Sequence, residues 1–459
     1  MLTANLATKL EGLLGANRVT AGEDALAPFK VDGVLPSAAV HPQSAAEVAE
    51  VIAFAATGKL AIVSCGSRSK LELGMPPGRY HIALDMTGLC QIAHNDAGDL
   101  TLSVDAGMPL RQLEQTLAEK QQFLPLAVPC FETSTVGGAV ASGIDSALRQ
   151  QYGAARDFLS GAEFVDGTGK LCKSGGRVVK NVSGYDLHKL LVGSLGTLCV
   201  ITRLNFRTSP LARASAGFLA SFTAAEGALA ARRALEAAGL PLSNLEVLSP
   251  EIAAILSAIL RSANCTVPHR LERAGWCTYV SYEGNEAVVK RISDQLEKIA
   301  SEAHATQSEM LDKSMDESLG GMLREAFEWL RFASPAVLLL RLTLPEFTPQ
   351  TIADLSGILK ANSQRGATLL RARGVVYLLV QADSEAGAAL DGLQKAANNV
   401  ISLVTEKRGH TTLLHAPLAL KSRAGIWTGP LENIGLMRRV KRAFDPQGLF
   451  APGRFWGGL

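Results

Sequence analysis

The fold of this chain is decided by the stretch SGGRVVKNVSGYDLHKLLVGSLGTLCVITRLNFRTSP, which occupies residues 174–210. It contains a glycine turn, a polar loop that ends in GYDL, a short apolar helix, a second glycine turn and a buried strand predicted at Leu198–Ile201. Polar loops and glycine turns beside an apolar strand are typical of a loop-built pocket for a large flat ligand. We therefore expect this stretch to line a binding groove.

Length and composition describe an ordinary globular protein. The 459 residues, 47% of them hydrophobic and 19% charged, are enough for two or three domains. A formal net charge of +2 gives no reason to expect nucleic acid as a partner. The sequence has no uninterrupted apolar run of about 18 residues. We therefore predict no membrane-spanning helix, while peripheral membrane attachment stays open.

The cysteines and histidines do not form a recognisable metal-binding pattern. Seven cysteines are scattered along the chain, and no two of them have CxxC spacing, so a zinc ribbon or a cysteine-ligated iron–sulfur cluster is not expected. Reduced thiols in the cytoplasm fit this set better. His410 and His415 are five residues apart, which suits two ligands on one helix face poorly, and no carboxylate cluster adjoins them. We predict no metal site.

A strand–helix–strand unit precedes the first candidate binding loop. Residues 37–41 predict a short strand, and residues 44–56 predict an amphipathic helix because apolar side chains recur at helical spacing. Ser44 and Glu47 form a capping box at the start of that helix. Residues 60–64 are apolar and β-branched, which predicts a buried strand.

The loop CGSRSK, residues 65–70, follows that buried strand. Small residues after a strand expose consecutive amide N–H groups, which form an anion-binding nest. Arg68 and Lys70 would add positive charge beside a phosphate. A solvated turn is the alternative for this loop taken alone. Its glycine spacing matches neither a P-loop nor a Rossmann fingerprint.

A second candidate loop, TSTVGGAVASG, occupies residues 133–143. Hydroxyl side chains followed by paired glycines let a ligand approach the backbone and the start of a helix. A tightly packed helix is the alternative, since small residues also permit close helix contacts. Between the two loops, residues 100–105 alternate apolar and polar side chains, which predicts a strand with one buried face.

The sequence changes character after Pro210. Helices and strands alternate without glycine loops, which predicts a separate α/β cap domain. We expect helices at 224–238, 250–262, 286–303, 315–331, 349–362 and 385–406, and strands at 276–283, 337–344 and 375–381.

A predicted helix near the C-terminus carries a basic face. Its residues are Arg438, Arg439, Lys441 and Arg442. A solvated surface is one interpretation of this face, and docking to a partner or to anionic lipid is the other.

Taken together, these segments resemble the FAD-binding half of the vanillyl-alcohol oxidase/PCMH flavoprotein superfamily. Within it, the chain is similar to the FAD-binding (E) subunits of bacterial glycolate oxidase complexes. The resemblance covers residues 35–210 strongly, the C-terminal 50 residues moderately and the cap weakly. It is carried by PQSAAEVAEVIAFA (42–55), CGSRSKLELG (65–74), TVGGAVASG (135–143), YGAARDFLSGAEFVDGTGK (152–170), GGRVVKNVSGYDLHKLLVGSLGTLCVIT (175–202) and FDPQGLFAPGR (444–454).

The resemblance implies an α+β fold, with a two-subdomain PCMH-type FAD-binding domain followed by an α/β cap domain. The implied boundaries are an N-terminal helix and lead-in at 1–34, the FAD-binding domain at 35–210, the cap at 211–425, and a C-terminal segment at 426–459 that returns to the FAD domain.

The resemblance also implies which residues hold FAD. The loop at 66–70 would bind the pyrophosphate, the second loop would line the phosphate and ribityl region, and one strand would pair its backbone with the cofactor. The implied set is Gly66, Ser67, Arg68, Ser69, Lys70, Thr133, Ser134, Thr135, Val136, Gly137, Gly138, Ala139, Gly143, Arg156, Asp157, Val200, Ile201 and Arg454. Covalent relatives commonly carry a histidine in the loop equivalent to 65–70. This chain has none there, so we expect non-covalent FAD.

The activity implied by the resemblance is that of the FAD-binding subunit of a glycolate (2-hydroxyacid) oxidase complex. Such a complex oxidises glycolate to glyoxylate and passes electrons through flavin to partner subunits. The implied partners are a small 2-hydroxyacid substrate, a catalytic sister flavoprotein subunit and an iron–sulfur subunit. The implied location is the cytoplasm or, through the complex, the periphery of the inner membrane.

One departure from the superfamily keeps two alternatives open. Its metal-dependent 2-hydroxyacid dehydrogenases carry an HxGDGNxH-type segment, whereas residues 409–417 of this chain read GHTTLLHAP. Direct oxidation of glycolate by this chain is therefore in question. A self-sufficient FAD-dependent dehydrogenase of another hydroxyacid or alcohol is one alternative, with Lys180, Tyr185 and His188 as candidate catalytic residues. A flavin-loaded, non-catalytic assembly subunit is the other.

Overall fold

The chain folds into two compact units in the computed structural model. The structure describes residues 2–144, 146–177, 184–272, 275–332, 334, 336–362, 364–371, 374–384, 386–421, 423 and 433–459. The first unit comprises residues 1–145, 154–211 and 430–459, and the second comprises residues 146–153 and 212–429. Both units combine helices with sheets, which confirms the predicted α+β fold class.

Up to residue 211 the elements are short, and most of them belong to the first unit. In chain order they are α1 (Leu2–Leu14), β1 (Val19–Thr20), α2 (Glu23–Leu26), β2 (Ala38–Val40), α3 (Ala45–Gly58), β3 (Ile62–Cys65), β4 (Ile82–Asp85), β5 (Ile92–Asp96), β6 (Thr101–Asp105), α4 (Leu110–Ala118), β7 (Gln122–Phe123), α5 (Val136–Ser142), α6 (Arg149–Tyr152), α7 (Ala155–Phe158), β8 (Leu159–Val165), β9 (Leu171–Gly175), β10 (Val200–Arg207) and β11 (Ser209–Pro210).

The remaining elements are longer. They are β12 (Ala214–Phe222), α8 (Ala225–Ala237), β13 (Leu242–Leu248), α9 (Pro250–Ser262), β14 (Trp276–Gly284), α10 (Glu286–Glu302), β15 (Gln307–Leu311), α11 (Lys313–Arg324), α12 (Ala326–Leu330), β16 (Ala336–Thr343), α13 (Pro349–Ala361), β17 (Arg365–Leu370), β18 (Val375–Ala382), α14 (Gly387–Glu406), β19 (His410–His415), α15 (Leu418–Lys421) and α16 (Ile434–Phe444). Among the residues that the structure describes, no helix is long and apolar enough to cross a membrane.

The first unit contains a small sheet in the order β1-β2-β4-β3, in which β2, β4 and β3 are parallel. The helix α3 connects β2 to β3, as the strand–helix–strand pattern predicts. Ser44 caps this helix by accepting a hydrogen bond from the Glu47 amide at 3.2 Å. Glu47 reaches back to the amide of Gln43 rather than to that of Ser44. The apolar face of α3 is buried against the sheet through Val48, Val51, Ile52 and Ala55.

A second sheet of the first unit is antiparallel, in the order β5-β6-β10-β8-β9. All five residues of β6 are buried, so the prediction of a strand with one buried face is wrong. Of the polar side chains of β6, that of Asp105 is buried and has partners within the protein. Asp105 accepts hydrogen bonds from Arg203 Nε at 2.8 Å and from the Gln91 amide at 3.1 Å.

The stretch at 174–210 contains the expected elements with shifted bounds. The short apolar helix is a single 3₁₀ turn, Leu187–Leu190. The strand predicted at 198–201 begins at Val200 and continues to Arg207 as β10. This strand lies between β6 and β8 at the centre of the second sheet, because its polar residues also bond to neighbouring strands. Thr202 Oγ1, for example, donates to the carbonyl of Glu163 at 3.0 Å.

The second unit is built on one sheet in the order β15-β12-β14-β13-β17-β18-β16-β19, and its strand pairs are antiparallel. One face is covered by α8, α10, α13 and α14. The sequence did not predict β12, β13, β15, β17 or β19. In β12 the sequence ASAGFLASF is rich in alanine, and pairing with two neighbouring strands overrides its weak helical preference.

A buried ion pair fixes the C-terminal helix to the first unit. Lys441 Nζ contacts Asp445 Oδ2 at 2.6 Å and donates to the carbonyls of Thr197 at 2.5 Å and Phe450 at 2.9 Å. Asp445 also accepts the amides of Leu449 and Phe450. The inclusion of Lys441 in a basic outer face is therefore wrong, because its ammonium group is buried and bonds to these interior oxygen atoms. Residues 449–451 in turn pair with Ile62 of β3.

Replacing Lys441 with methionine should destabilise the first unit strongly. The substitution leaves the Asp445 carboxylate buried without its cation, which typically costs about 3–5 kcal/mol. Chemical denaturation followed by circular dichroism measures this loss. Arg439→Met on the exposed side of the same helix is the control and should change the free energy of unfolding by no more than about 0.5 kcal/mol. Equal midpoints for the two variants would contradict this role of the ion pair.

Candidate functional site

A groove in the first unit lies where β3 ends, α5 begins and β10 begins. It has two adjoining parts, which enclose about 570 Å³ and 420 Å³ of space including their open mouths. Both parts are lined by Ser64, Cys65, Gly66, Thr135, Gly138, Ala141 and Gly196. The groove therefore unites the two loops that the sequence singled out with the strand of the 174–210 stretch.

The loop after β3 fits against α5 only because residue 66 is glycine. A Cβ atom built on Gly66 would lie 2.1 Å from Thr135 Oγ1, far inside van der Waals contact. Arg68 adopts the left-handed conformation with φ of 68°, which turns the chain back after the small residues. This close approach leaves the backbone of the loop, rather than side chains, to form one wall of the groove.

The two cations of this loop have different surroundings. Arg68 pairs with Asp85 at 2.8 Å and lies 4.8 Å from the centroid of the Phe29 ring. Burial alone would raise the pKa of Asp85, but hydrogen bonds from His41 and Thr87 and the nearby Arg68 charge lower it overall. The carboxylate therefore stays ionised and neutralises much of the Arg68 charge. Lys70 instead donates to Ser134 Oγ.

The start of α5 forms a second wall. Thr135 caps the helix by accepting a hydrogen bond from the Gly138 amide at 3.3 Å. Gly137 packs against Ala106, where its amide donates to the carbonyl at 2.7 Å and a Cβ would lie 2.7 Å from the Ala106 side chain. Small residues thus bring the amide end of the helix to the groove, where its partial positive charge favours an anion.

The beginning of β10 offers an open strand edge to the groove. Val200 and Ile201 pair with β8 on one side. On the other side, pairing with β6 starts only at Arg203, and the carbonyl of Thr202 accepts from the Ala106 amide at 2.9 Å. No described strand pairs with Val200 or Ile201 on that side. Their backbone can therefore bond to a flat heterocycle, and their apolar side chains suit its faces.

Arg454 supplies hydrogen-bond donors that the described part of the protein leaves unused. Its guanidinium is only 3% exposed and lines the larger part of the groove. Nη2 donates to the carbonyls of Leu71 and Leu73, both at 2.6 Å, whereas Nε and Nη1 have no hydrogen-bond partner among the described residues. Burial lowers the pKa of Arg454 below its usual value. A ligand with acceptor atoms would satisfy these two donors.

Other residues expected to bind the cofactor lie behind the groove or away from it. Ser134 is buried and bonds to Lys70, and Val136 and Ala139 face the core of the second sheet. Gly143 ends α5 in the left-handed conformation, where a Cβ would meet Gly193. Three residues are exposed and line neither part of the groove; they are Thr133, and Arg156 and Asp157 on α7.

Two of the three candidate catalytic residues, Tyr185 and His188, do not line the groove. Tyr185 is 88% exposed. His188 is buried, and its ring Nδ1 lies 3.0 Å from Ser174 Oγ, which also accepts the His188 amide. Burial lowers the pKa of His188, so a neutral imidazole with a structural role accounts for this residue. Lys180 lies outside the described residues.

Several groove residues were not predicted. Ala141, Ser142, Leu195 and Gly196 line its floor, and Leu71 and Leu73 lie beside Arg454. Gly196 belongs to the second glycine turn of the 174–210 stretch, and its φ of 67° and the proximity of Ser64 explain why glycine is required. The sequence predicts this turn, but it does not predict which side of the turn faces a ligand.

The Cys65 thiol belongs to a residue that lines both parts of the groove. Burial raises its pKa far above the usual value, and the Asp85 carboxylate acts in the same direction. A thiol that stays protonated is a poor nucleophile. Its environment therefore does not favour covalent attachment of a ligand.

Fold and groove together define a flavoprotein oxidoreductase scaffold. Residues 36–175 match the family model of an FAD binding domain, and residues 211–455 match that of the C-terminal domain of FAD linked oxidases. The chain belongs to the FAD-linked oxidases. The predicted FAD-binding, PCMH-type architecture is thereby confirmed, and the protein is an FAD-linked oxidoreductase.

Individual relatives agree with this assignment. Glycolate oxidase subunit GlcE of Escherichia coli is 38% identical over 167 residues, which are 36% of this chain and 47% of that protein. The alignment thus covers less than half of that relative. Glycolate oxidase subunit GlcD of Bacillus subtilis is 23% identical over 92% of this chain and 89% of its own length. Substrate-bound p-cresol methylhydroxylase has a similar fold, with a TM-score of 0.79, 17% identity, and coverage of 98% of this chain and 96% of its own.

The donors of the groove fit FAD. The cofactor has a negatively charged pyrophosphate, which matches the loop amides, the start of α5 and Lys70. It also has two flat heterocycles with acceptor atoms at their edges, which match the open edge of β10 and the unused donors of Arg454.

Replacing Gly66 with alanine should impair FAD binding. The new methyl group would overlap Thr135, and relieving such overpacking typically costs about 1–3 kcal/mol. We expect FAD affinity to fall by about tenfold or more, measured by titration of the apoprotein. Gly12→Ala in α1 is the control, because a Cβ there meets nothing within 4 Å. Unchanged affinity in the Gly66 variant would show that the loop can shift without loss of the site.

Replacing Arg454 with methionine should also weaken FAD binding. A hydrogen bond from a charged donor contributes about 1.5–3 kcal/mol, so the dissociation constant should rise by about 10- to 100-fold. Arg454→Lys keeps the charge but loses the planar set of guanidinium donors, so we expect an intermediate loss of FAD affinity.

Arg79→Met is the matched control for Arg454. Arg79 also bonds to the C-terminal segment, at the carbonyl of Gly448, but it is exposed and outside the groove. If both methionine variants bind FAD like the unmodified protein, Arg454 does not contact the cofactor.

Proposed function

We propose that this chain is the FAD-binding subunit of a glycolate (2-hydroxyacid) oxidase complex. The observation that carries the proposal is the groove itself, in which two glycine-containing loops, an open strand edge and a buried arginine converge within a chain of the FAD-linked oxidase family. The similarity to two proteins named as glycolate oxidase subunits supports the choice of substrate and of a multi-subunit assembly.

In this proposal the groove residues have separate tasks. The amides of 66–69 and the start of α5 hold the pyrophosphate, together with Lys70. Val200 and Ile201 pair their backbone with one heterocycle, and Arg454 donates to an acceptor atom of the cofactor. The buried packing of Gly137 on Ala106 excludes water from beneath the site. When bound, FAD would accept electrons that the complex removes from the hydroxyl-bearing carbon of the substrate.

Non-covalent attachment is part of the proposal. It is supported by the absence of histidine in the loop at 65–70 and by the raised pKa of the Cys65 thiol. A protonated, buried sulfur would have to lose its proton before bonding to the cofactor, and the neighbouring Asp85 carboxylate opposes that loss.

A sister flavoprotein subunit is the proposed site of substrate oxidation, and an iron–sulfur subunit is the proposed next electron carrier. Tyr185 and His188 do not reach the groove, so they do not provide a base beside the cofactor. The segment His410–His415 forms the strand β19 and contains no carboxylate. Among the described residues, no group of three or more His, Cys, Asp or Glu side chains is arranged to hold a metal ion.

Anaerobic reduction of the bound flavin distinguishes these functions. The chain is purified alone and together with the sister flavoprotein and iron–sulfur subunits, and glycolate or D-lactate is added to each sample. We expect the flavin absorbance of this chain to bleach only in the complex, because substrate oxidation occurs on the sister subunit.

Other outcomes assign the remaining functions. Bleaching of the isolated chain would establish a self-sufficient dehydrogenase, and a flavin that no substrate reduces even in the complex would establish an assembly subunit. Purification without any flavin, and failure of the apoprotein to take up added FAD, would refute the proposed function altogether.

A further inference from the structure

One oxygen atom of Asp85 is shared by two basic side chains. Arg68 Nη1 lies 2.8 Å from Asp85 Oδ2, and His41 Nδ1 lies 3.5 Å from the same oxygen. The other carboxylate oxygen, Oδ1, is already used, because it accepts hydrogen bonds from the Thr87 amide at 3.0 Å and from the Thr87 hydroxyl at 2.7 Å. Arg68 and His41 therefore compete for one buried negative charge.

The parallel strands of the first sheet bring these three side chains together. Asp85 is the last residue of β4, which lies between β2 and β3. His41 directly follows β2, and Arg68 lies in the loop that follows β3. The carboxyl ends of parallel strands meet at one edge of a sheet. Of the three residues, Arg68 alone lines the groove, so the other two act on a ligand through it.

His41 has a suitable neighbour in either charge state. Its ring Nε2 lies 2.9 Å from Thr20 Oγ1. Because a hydroxyl group both donates and accepts, Thr20 donates to a neutral ring and accepts from a protonated one, while Nδ1–H faces Asp85 in both cases. The His41 side chain is 33% exposed, so protons reach it from solvent. Histidine is the side chain that ordinarily changes its charge between about pH 5 and pH 8.

The remaining neighbours of His41 leave this balance to Asp85. Arg18 donates to the His41 carbonyl and to a carboxylate oxygen of Glu47, each at 3.2 Å, so the charges of Arg18 and Glu47 compensate each other. The ring of Phe29, whose centroid lies 6.0 Å from that of the imidazole, carries no charge. Among the described residues, the imidazole therefore responds chiefly to the Asp85 carboxylate and to the guanidinium that shares it.

The direction of the effect follows from these charges. A neutral His41 leaves the full charge of Asp85 to cancel that of Arg68. A protonated His41 takes up part of the carboxylate charge, so Arg68 presents more positive charge to the groove. The neighbouring Cys65 thiol stays neutral, because burial and the Asp85 carboxylate raise its pKa far above the usual value. A negatively charged ligand beside Arg68 is therefore bound more tightly when His41 is protonated.

We propose that Asp85 and His41 are positioning residues that make FAD binding depend on pH through Arg68. Asp85 holds the guanidinium at the pyrophosphate end of the groove, and the protonation of His41 sets how much of the guanidinium charge reaches the cofactor. FAD is held more tightly at about pH 6 than at about pH 8, and its binding draws a proton onto His41. This role rests on the proposed position of the pyrophosphate at residues 66–69, and it is independent of the substrate.

Calorimetric titration of the apoprotein with FAD tests the proposal. We expect the dissociation constant to rise by about fivefold or more between about pH 6 and about pH 8, which is the lower end of typical coupling between two sites. Titrations near neutral pH in two buffers of different ionisation enthalpy measure the protons taken up on binding. The unmodified protein should take up a measurable fraction of a proton for each FAD bound, a signal that a purely structural histidine would not give.

Two variants locate the effect. His41→Asn removes the titrating ring and keeps a polar group at this partly exposed position, so it should abolish both the tighter binding at the lower pH and the proton uptake. Arg68→Gln should weaken FAD binding and make it nearly independent of pH, because the charge through which His41 acts is gone. His94→Asn is the matched control, since His94 lies on β5 of the same unit and outside the groove. It should keep the pH dependence of the unmodified protein.

Four results would overturn the proposal. They are equal FAD affinity of the unmodified protein at both pH values, an unchanged pH dependence in His41→Asn, an unchanged pH dependence in Arg68→Gln, and loss of the dependence in His94→Asn as well. Failure of the unmodified protein to bind FAD at any pH would refute the proposed function together with this role. That result is distinct from tight FAD binding that does not change with pH, which refutes this role alone.

Discussion

The buried pair of Lys441 and Asp445 is the interaction on which the arrangement of the groove depends. It joins the turn before β10, through the Thr197 carbonyl, to the C-terminal helix and to residues 449–451, which pair with β3. The turn before β10 lines the groove, and residues 449–451 lead directly to Arg454, which lines it as well. A charged pair is costly to bury, but here the lysine connects the turn that lines the groove to the segment that carries Arg454.

The shape of the groove depends on glycines, which have no side chain, as much as on the side chains that line it. Gly66, Gly137 and Gly196 each lie where a Cβ would overlap a neighbouring group. Backbone amides can therefore approach a ligand that larger residues would keep away. The result is a wall whose hydrogen-bonding capacity comes from the main chain and is fixed by packing, so a ligand in the groove would meet donors that are already oriented.

The sequence predicted the parts of this site that depend on local rules. The cap at Ser44, the small-residue loop at 65–70 and a helix start within 133–143 follow from residue type and spacing over a few positions, and the structure has each of them, with Thr135 as the cap of the second helix. The burial of Lys441 was not predictable in this way, because its partners Thr197 and Phe450 are brought to it by the fold. The same holds for β12, in which strand pairing overrides the composition, and for the buried polar face of β6.

The distribution of charge explains how such a groove can prefer a dinucleotide over a simple anion. Arg68 is engaged by Asp85 and Lys441 by Asp445, so the positive charge directed at the groove is small and local. A free phosphate would gain from the loop amides alone, whereas FAD would also satisfy Arg454 and the open edge of β10. Because the unused donors of Arg454 are buried, leaving them without an acceptor is costly. A ligand that fills only the loop would leave these donors as they are, whereas one that also supplies an acceptor to Arg454 would gain from satisfying them, which would favour the full cofactor.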